Sequence, residues 1–300
     1  MEQINEWIKW LDGAVWGLPL IVFILAVGIF MTARLGGLQI RRLPKALKYM
    51  VKNEEGGRGE VSSFGALCTA LSATIGTGNI VGVATAVVAG GPGALFWMWI
   101  AALFGMATKF SEGVLAIKYR HIGEDGHVLG GPFYYIEKGM GKNWKWLAKM
   151  FAFFGMCVGL FGIGTFTQVN GISSAVKNFF DADSSHTVTI FGMDYSYTVI
   201  IAGVAVAICV ALVIIGGLGR IAQVSQVVVP FMAIIYVAFC VLLLGFNFQQ
   251  IPSALATIVE GAFNPQAVTG GIVGSIAIAM QMGIARGIFS NEAGLGSAPI

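Results

Sequence analysis

Seven apolar stretches dominate the sequence, and each is long enough to cross the hydrocarbon core of a bilayer as a helix. They lie at residues 15–33, 62–89, 92–115, 147–175, 197–216, 220–245 and 271–298. Only 11% of the 300 residues are charged, which is too few to cover the surface of a soluble protein of this length. The sequence therefore predicts an all-α, polytopic helical membrane protein.

Lysine and arginine are distributed unevenly between the connections of these stretches. Thirteen of the 18 lie in the first, third and fifth connections, whereas two, Lys9 and Lys177, lie on the other side. Connections that are rich in lysine and arginine stay in the cytoplasm. The pattern therefore predicts that the N-terminus lies outside the cell and that the seventh stretch runs inward.

Other features of the composition exclude several function classes. The net charge of +3 comes without a clustered basic face, so no nucleic-acid partner is expected. The three histidines form no metal-binding pair, and the four cysteines lie inside apolar stretches without the spacing of a metal site. Since the sequence offers no cluster of a nucleophile, a base or a metal, it indicates neither an enzyme nor an organic cofactor.

The second stretch contains a polar interruption at its middle, Gly76-Thr77-Gly78-Asn79. As one helix the stretch would be about 42 Å long, more than one crossing needs, and each glycine lowers helix stability by about 1 kcal/mol. A break here would leave free N–H groups, which suit a carboxylate, facing free carbonyls, which suit Na⁺ or an ammonium. Thr74 adds a hydroxyl nearby. The alternative is close helix packing through the glycines.

The seventh stretch repeats this pattern, because its glycines surround several polar residues. Paired interrupted helices in corresponding positions are typical of inverted-repeat secondary transporters. On this basis residues 62–245 form a first five-helix repeat, residues 271–300 begin a second, and the helix at 15–33 is an addition in front. The sequence stops inside an inward-running helix, so residues 1–300 are expected to be one incomplete transmembrane domain, with seven of about eleven helices present.

Further polar residues lie within the predicted spans. Gln168, which follows two threonines, either lines a cavity or makes interhelical hydrogen bonds. Lys109 and Glu112 are expected near the cytoplasmic end of their helix, where they snorkel or pair with each other. Glu292 either neutralises Arg286 or couples to a gate.

Three segments of the sequence are similar to a known family. Residues 90–99, Gly-Gly-Pro-Gly-Ala-Leu-Phe-Trp-Met-Trp, resemble the signature of the alanine or glycine:cation (sodium:alanine) symporters. Residues 76–80, Gly-Thr-Gly-Asn-Ile, and residues 290–297, Ser-Asn-Glu-Ala-Gly-Leu-Gly-Ser, resemble its two discontinuous segments.

The resemblance implies a leucine-transporter-like 5+5 inverted-repeat fold with one extra N-terminal helix, in the plasma membrane of a prokaryote. It also implies a secondary active transporter, which takes up alanine or glycine by symport with Na⁺ through alternating access. A monomer in the lipid bilayer is expected, and H⁺ is an alternative coupling ion.

The resemblance further implies roles for individual residues. It assigns substrate binding to Thr77, Gly78, Gln168, Gly287, Phe289 and Asn291, and Na⁺ binding to Thr74 and Asn79. Thr77 and Gly78 would bind the substrate carboxylate, and Phe289 would limit the substrate side chain to a small one. Hydroxyl, amide and carbonyl oxygens are the ligands that hard cations prefer.

Two other classes of membrane protein compete with this interpretation. A seven-helix receptor of the rhodopsin type needs a lysine in its seventh helix, where this sequence has Arg286. A solute channel needs two facing half-helices with Asn-Pro motifs, whereas Asn264-Pro265 is a single motif in a connection. Both classes explain the interrupted stretches less well than a transporter does.

Overall fold

The computed structural model describes residues 2–51, 61–124, 126–162, 164–183, 186–190, 192–263 and 276–297. Its helices run over Glu2–Val15 (α1), Leu18–Arg34 (α2), Leu38–Arg41 (α3), Leu43–Val51 (α4), Ser63–Thr74 (α5), Val81–Gly90 (α6), Gly93–Tyr119 (α7), Pro132–Tyr135 (α8), Lys145–Phe161 (α9), Thr165–Phe180 (α10), Tyr197–Ile214 (α11), Gly217–Phe246 (α12), Ile251–Phe263 (α13) and Ile276–Asn291 (α14). Two short antiparallel hairpins lie in connections: His121–Ile122 (β1) with Val128–Leu129 (β2), and Thr187–Ile190 (β3) with Met193–Ser196 (β4).

Six of the seven predicted spans are present in the described residues. Five helical segments are long and apolar enough to cross a membrane, and the bent pair α5–α6 makes a sixth. The seventh stretch is represented by α14, which has 16 residues, while residues 271–275 and 298 lie outside the described residues. Large apolar side chains such as Val88 (88% exposed) and Ile215 (81%) cover the surface, as contact with lipid requires. The protein is therefore an all-α, multi-pass membrane protein, as predicted.

The fourth stretch differs from its prediction as one helix over 147–175. It is divided into α9 and α10, because Gly162 ends α9 in a left-handed conformation (φ 61°) that glycine adopts without strain. The division places Gln168 in the first turn of α10 rather than in the interior of a long helix. A further unpredicted helix, α13, lies in the connection between the sixth and seventh stretches.

Helix α7 lies at the centre of the described bundle and contacts α2, α6, α13 and α14. Small residues allow this close approach. A Cβ atom on Gly283 of α14 would collide with the Ala94 carbonyl of α7, and one on Gly93 of α7 would collide with the Gly261 carbonyl of α13. Buried Ile284 extends the contact to α2. Because α14 is held this closely against α7, its packing determines where its C-terminal end lies.

Candidate functional site

The interruption between α5 and α6 is a sharp bend of 65°. Helix α5 ends at Thr74, Gly76 has an extended backbone, and Thr77–Asn79 forms a single 3₁₀ turn before α6 begins at Val81. The Asn79 Oδ1 accepts a hydrogen bond from the Gly76 N–H at 2.8 Å. This bond satisfies one of the backbone groups that a broken helix leaves free. The predicted break in the second stretch is confirmed.

Gln168 of α10 reaches into this break. Its Oε1 accepts hydrogen bonds from the Thr77 N–H and from the Thr77 Oγ1, both at 2.9 Å. Glycines make the contact possible, because a Cβ on Gly76 would collide with the Gln168 side chain, and one on Gly171 would lie 2.6 Å from the Thr77 Cγ2. Of the two readings of Gln168, interhelical hydrogen bonding is therefore observed, and its contact with a substrate stays a prediction.

The second interruption lies at the C-terminal end of α14. The helix ends at Asn291, whose Oδ1 accepts a hydrogen bond from the Ala293 N–H at 2.9 Å. The next residues leave helical conformation, with positive φ angles at Glu292 (55°), Gly294 (86°) and Gly296 (70°). A positive φ is uncommon outside glycine, so Glu292 is held in this conformation by its contacts. Through Gly283 and Gly287, by contrast, α14 is an unbroken helix.

Asn79 joins the two interruptions. Its Nδ2 donates hydrogen bonds to the Ser290 Oγ at 2.7 Å and to the Ser290 backbone oxygen at 3.3 Å. The two residues are 211 positions apart in the sequence. Ser290 was not among the predicted site residues, although it opens the polar run at the end of α14. The two polar clusters that the sequence predicts as partners are therefore in direct contact.

Phe289 lies on the same side of α14 as this contact. A Cβ atom added to Gly78 would be 3.6 Å from the Phe289 ring, so the ring covers the glycine at ordinary van der Waals distance. Phe289 is 46% exposed, and with Arg286 it lines an open cleft of about 330 Å³ that reaches Trp16. Thr77, Gly78, Gln168 and Phe289 thus come together around one break.

Gly287 and Asn291 lie on a different face of α14, one turn apart. A Cβ on Gly287 would be 3.2 Å from the Ala101 Cβ of α7, and the Asn291 amide lies 3.4 Å from the corresponding position on Gly105. Both residues therefore contact α7 rather than the α5–α6 break. Their predicted role in substrate binding is not tested by these contacts.

The two residues predicted to bind Na⁺ lie on either side of the break. The Thr74 Oγ1 donates to the Ala70 backbone oxygen at 2.9 Å, the usual bond of a threonine within a helix. The Thr74 Oγ1 keeps its lone pairs, and the Asn79 Oδ1 keeps a second lone pair, so both oxygens can still coordinate a cation. Their coordination of a cation stays a prediction.

Charged side chains of α7 meet the end of α14. The Lys109 Nζ donates to the Asn291 backbone oxygen at 3.2 Å and lies 3.8 Å from the Glu292 Oε2. The Glu112 Oε1 accepts from the Gly294 N–H at 3.0 Å. Glu112 is only 9% exposed, so the expectation that it snorkels to the membrane surface is wrong. Packing against α14 buries it instead.

The known proteins that this chain resembles are transporters. The sodium:alanine symporter family matches residues 1–300. The chain belongs to this family. Among its relatives, an uncharacterized transporter of Haemophilus influenzae is 52% identical over 99% of this chain and 62% of its own length.

The names of two further relatives state a substrate. The sodium/alanine symporter AgcS of Methanococcus maripaludis is 46% identical over 98% of this chain and 61% of its own length. The probable sodium/glutamine symporter GlnT of Bacillus subtilis is 37% identical over 100% of this chain and 58% of its own length. The chain thus spans about 60% of the length of these relatives. The family consists of transporters rather than enzymes. The prediction of a transporter is therefore confirmed, while its substrate stays a prediction.

Proposed function

We propose that the full-length protein is a secondary active transporter that takes up a small neutral amino acid, alanine or glycine, by symport with Na⁺. It works by alternating access as a monomer in the lipid bilayer of a prokaryotic plasma membrane, with its N-terminus outside. The contact between the two interrupted helices through Asn79 and Ser290 carries this proposal. It brings half-helix ends together inside a bundle, as substrate and ion sites of such transporters require.

The proposed fold is the leucine-transporter-like 5+5 inverted repeat with α1–α2 in front. Residues 62–245 form the first repeat and residues 271–300 begin the second. The interrupted pair α5–α6 opens the first repeat, and α14, interrupted at its end, opens the second. Two interruptions in corresponding positions support this arrangement.

The substrate carboxylate is proposed to bind the backbone N–H groups of Thr77 and Gly78. The Gln168 Oε1, which accepts from the Thr77 N–H and Oγ1, then marks the position of a carboxylate oxygen. Because charged acceptors form stronger hydrogen bonds than neutral ones, an incoming carboxylate can displace the amide oxygen. Gln168 would then contact the substrate through its side-chain amide.

The size of the substrate is proposed to be limited by Phe289. Its ring lies 3.6 Å from the position of a Cβ on Gly78, which leaves little space beside the carboxylate site. Alanine or glycine fits this constraint, and Gly287 and Asn291 would complete the pocket from α14. The glutamine named for one relative makes glutamine the competitor substrate to test.

Na⁺ is proposed to bind oxygens of Thr74 and Asn79. The Ser290 Oγ, 2.7 Å from the Asn79 Nδ2, supplies a third oxygen from α14. A cation between these groups would couple the two interruptions, because its ligands belong to both helices. H⁺ is the alternative coupling ion.

Uptake by the purified full-length protein in proteoliposomes tests this function. We expect saturable alanine uptake that an inward Na⁺ gradient drives, that unlabelled glycine inhibits, and that disappears when choline replaces Na⁺. Uptake that is insensitive to both Na⁺ and a proton gradient would contradict symport. Inhibition by glutamine but by neither alanine nor glycine would contradict the proposed substrate size.

A further inference from the structure

Lys109, Glu112 and Glu292 form a small charged cluster where α7 meets the end of α14. Lys109 supplies one positive charge for two carboxylates, and it lies 3.8 Å from Glu292 and donates to the Asn291 carbonyl. Glu112 instead receives neutral donors, the backbone N–H groups of Gly294, at 3.0 Å, and of Gly296. The cluster therefore carries one negative charge more than its lysine balances.

Within this cluster, Glu112 is the buried carboxylate that lacks a hydrogen-bond partner on one of its oxygens. It is 9% exposed, and its Oε2 is buried without a hydrogen-bond partner among the described residues. The Thr108 Oγ1, one turn earlier on the same face of α7, is also buried without a partner there. The hydroxyls of Thr69 and Ser111, by contrast, donate to backbone carbonyls four residues before them. Since a hydroxyl carries its own proton, the Glu112 Oε2 is the oxygen of these two at which an added proton would be stabilised.

The groups that face Glu112 limit where that proton can reside. Lys109 comes from its own helix, Glu292 from the segment after α14, and Tyr135 from α8. Burial, together with the negative charge of Glu112, raises the pKa of Tyr135 to about 12. Tyr135 thus stays neutral at physiological pH. The Lys109 ammonium donates to the Asn291 carbonyl and lies beside the Glu292 carboxylate. The Glu292 Oε2 has the Lys109 ammonium and the Ser297 hydroxyl beside it, whereas the Glu112 Oε2 has no partner among the described residues. The Glu112 carboxylate is therefore the group that takes up a proton.

We propose that Glu112 is a proton-binding site that controls the contact between α7 and the segment after α14. A proton from water would bind to the Oε2, and the carboxylate would become a neutral carboxylic acid. The Oε1 would then be a neutral acceptor for the Gly294 N–H, and neutral hydrogen bonds are about half as strong as charge-assisted ones. Protonation would loosen Gly294 from α7 while Lys109 keeps Glu292.

This inference rests on the proposed function, because it gives the transport cycle a proton-sensitive step. The segment that Glu112 holds follows Ser290 and Asn291 directly, so its release would change how the end of α14 faces the α5–α6 break. Glu112→Gln retains an oxygen for the Gly294 N–H but can bear no charge. It should therefore reproduce the protonated state at every pH.

The proton can be observed directly by infrared difference spectroscopy on the purified full-length protein during a pH titration. We expect a carboxylic acid C=O band in the wild type that Glu112→Gln lacks and that Glu112→Asp shifts. Glu137→Gln, which removes an ion-paired carboxylate outside the membrane spans, should leave the band unchanged. A band unchanged in both Glu112 variants would overturn the assignment. If the glutamine variant fails to insert into the membrane, the band of the aspartate variant is sufficient to test the assignment.

Its effect is measured as Na⁺-driven alanine uptake across a pH series at saturating Na⁺. The wild type and Glu137→Gln should vary with pH, whereas Glu112→Gln should show the low-pH rate of the wild type throughout. A wild-type pH profile in Glu112→Gln would overturn the proposed site. If instead the wild type takes up no amino acid under any ion gradient, the proposed function is wrong. The proton-binding site is then tested by the infrared band alone.

Discussion

The two interruptions differ in the chemistry that holds them. Neutral amides hold the break between α5 and α6, since Gln168 accepts from Thr77 and Asn79 accepts from Gly76. Charged groups hold the end of α14, where Lys109 and Glu112 of α7 bind backbone atoms. The net contribution of a hydrogen bond to protein stability is about 1 kcal/mol between neutral groups and about 1.5–3 kcal/mol when one group is charged.

This difference suggests a division of roles. A neutral partner at the first break can be exchanged for a charged ligand, because the ligand forms the stronger bond with the same N–H groups. Charged partners at the second interruption hold an unwound segment whose backbone groups would otherwise lack hydrogen-bond partners. The first break is thus suited to ligand exchange, and the second to controlled release.

The largest effect that we expect comes from filling the first break. Gly78→Val should abolish alanine uptake while membrane insertion is retained, because the added side chain would occupy the space between Gly78 and the Phe289 ring. Uptake in proteoliposomes and the amount of inserted protein are the measurements. Gly82→Val, at a glycine whose Cβ position has no heavy atom within 4 Å, is the matched control. Normal uptake by Gly78→Val would exclude the first break as the substrate site.

A smaller effect should follow when the exchangeable partner is given a charge. Gln168→Glu would place a carboxylate on the Thr77 N–H and Oγ1 that a substrate must displace. We expect the KM for alanine to rise about tenfold, which corresponds to about 1.4 kcal/mol. Thr167→Val, on the same turn of α10, should keep the wild-type KM. An unchanged KM in Gln168→Glu would show that the substrate carboxylate does not use the Thr77 N–H.

The smallest effect concerns the charged contact at the second interruption. Lys109→Met, Glu292→Gln and the double variant form a double-mutant cycle, read out as thermal unfolding of the purified protein. Both side chains are partly exposed, at 29% and 20%, so a coupling energy of about 1 kcal/mol is expected. Additive effects of the two substitutions would mean that this ion pair does not stabilise the end of α14.

Much of the fold could be predicted from the sequence, because membrane spans depend on local composition. The break in the second stretch was predictable for the same reason, since Gly76 and Gly78 weaken any helix that contains them. The division of the fourth stretch was missed, although Gly162 carried a signal for it. Glycines in a membrane helix are equally typical of close helix packing, and only the positive φ of Gly162 distinguishes a helix end from a packing contact.

The contacts of the candidate site were less predictable, because they join distant parts of the chain. Thr77 and Gln168 are 91 positions apart, and Asn79 and Ser290 are 211 apart. No local pattern specifies which residues on a helix face a partner across such a distance. The burial of Glu112 was missed for the same reason. Its position near the end of a helix predicted an exposed side chain, whereas the packing of α14 against α7 buries it.

The sequence by itself determined that this protein spans a membrane, where its second stretch is interrupted, and to which family it belongs. These properties follow from hydropathy, glycine content and motifs, which act over a few neighbouring residues. Only the tertiary structure decided that Gln168 and Asn79 hold the first break, that Phe289 covers Gly78, and that charges of α7 hold the end of α14. Those contacts depend on how closely whole helices approach, which is set by packing between residues far apart in the chain.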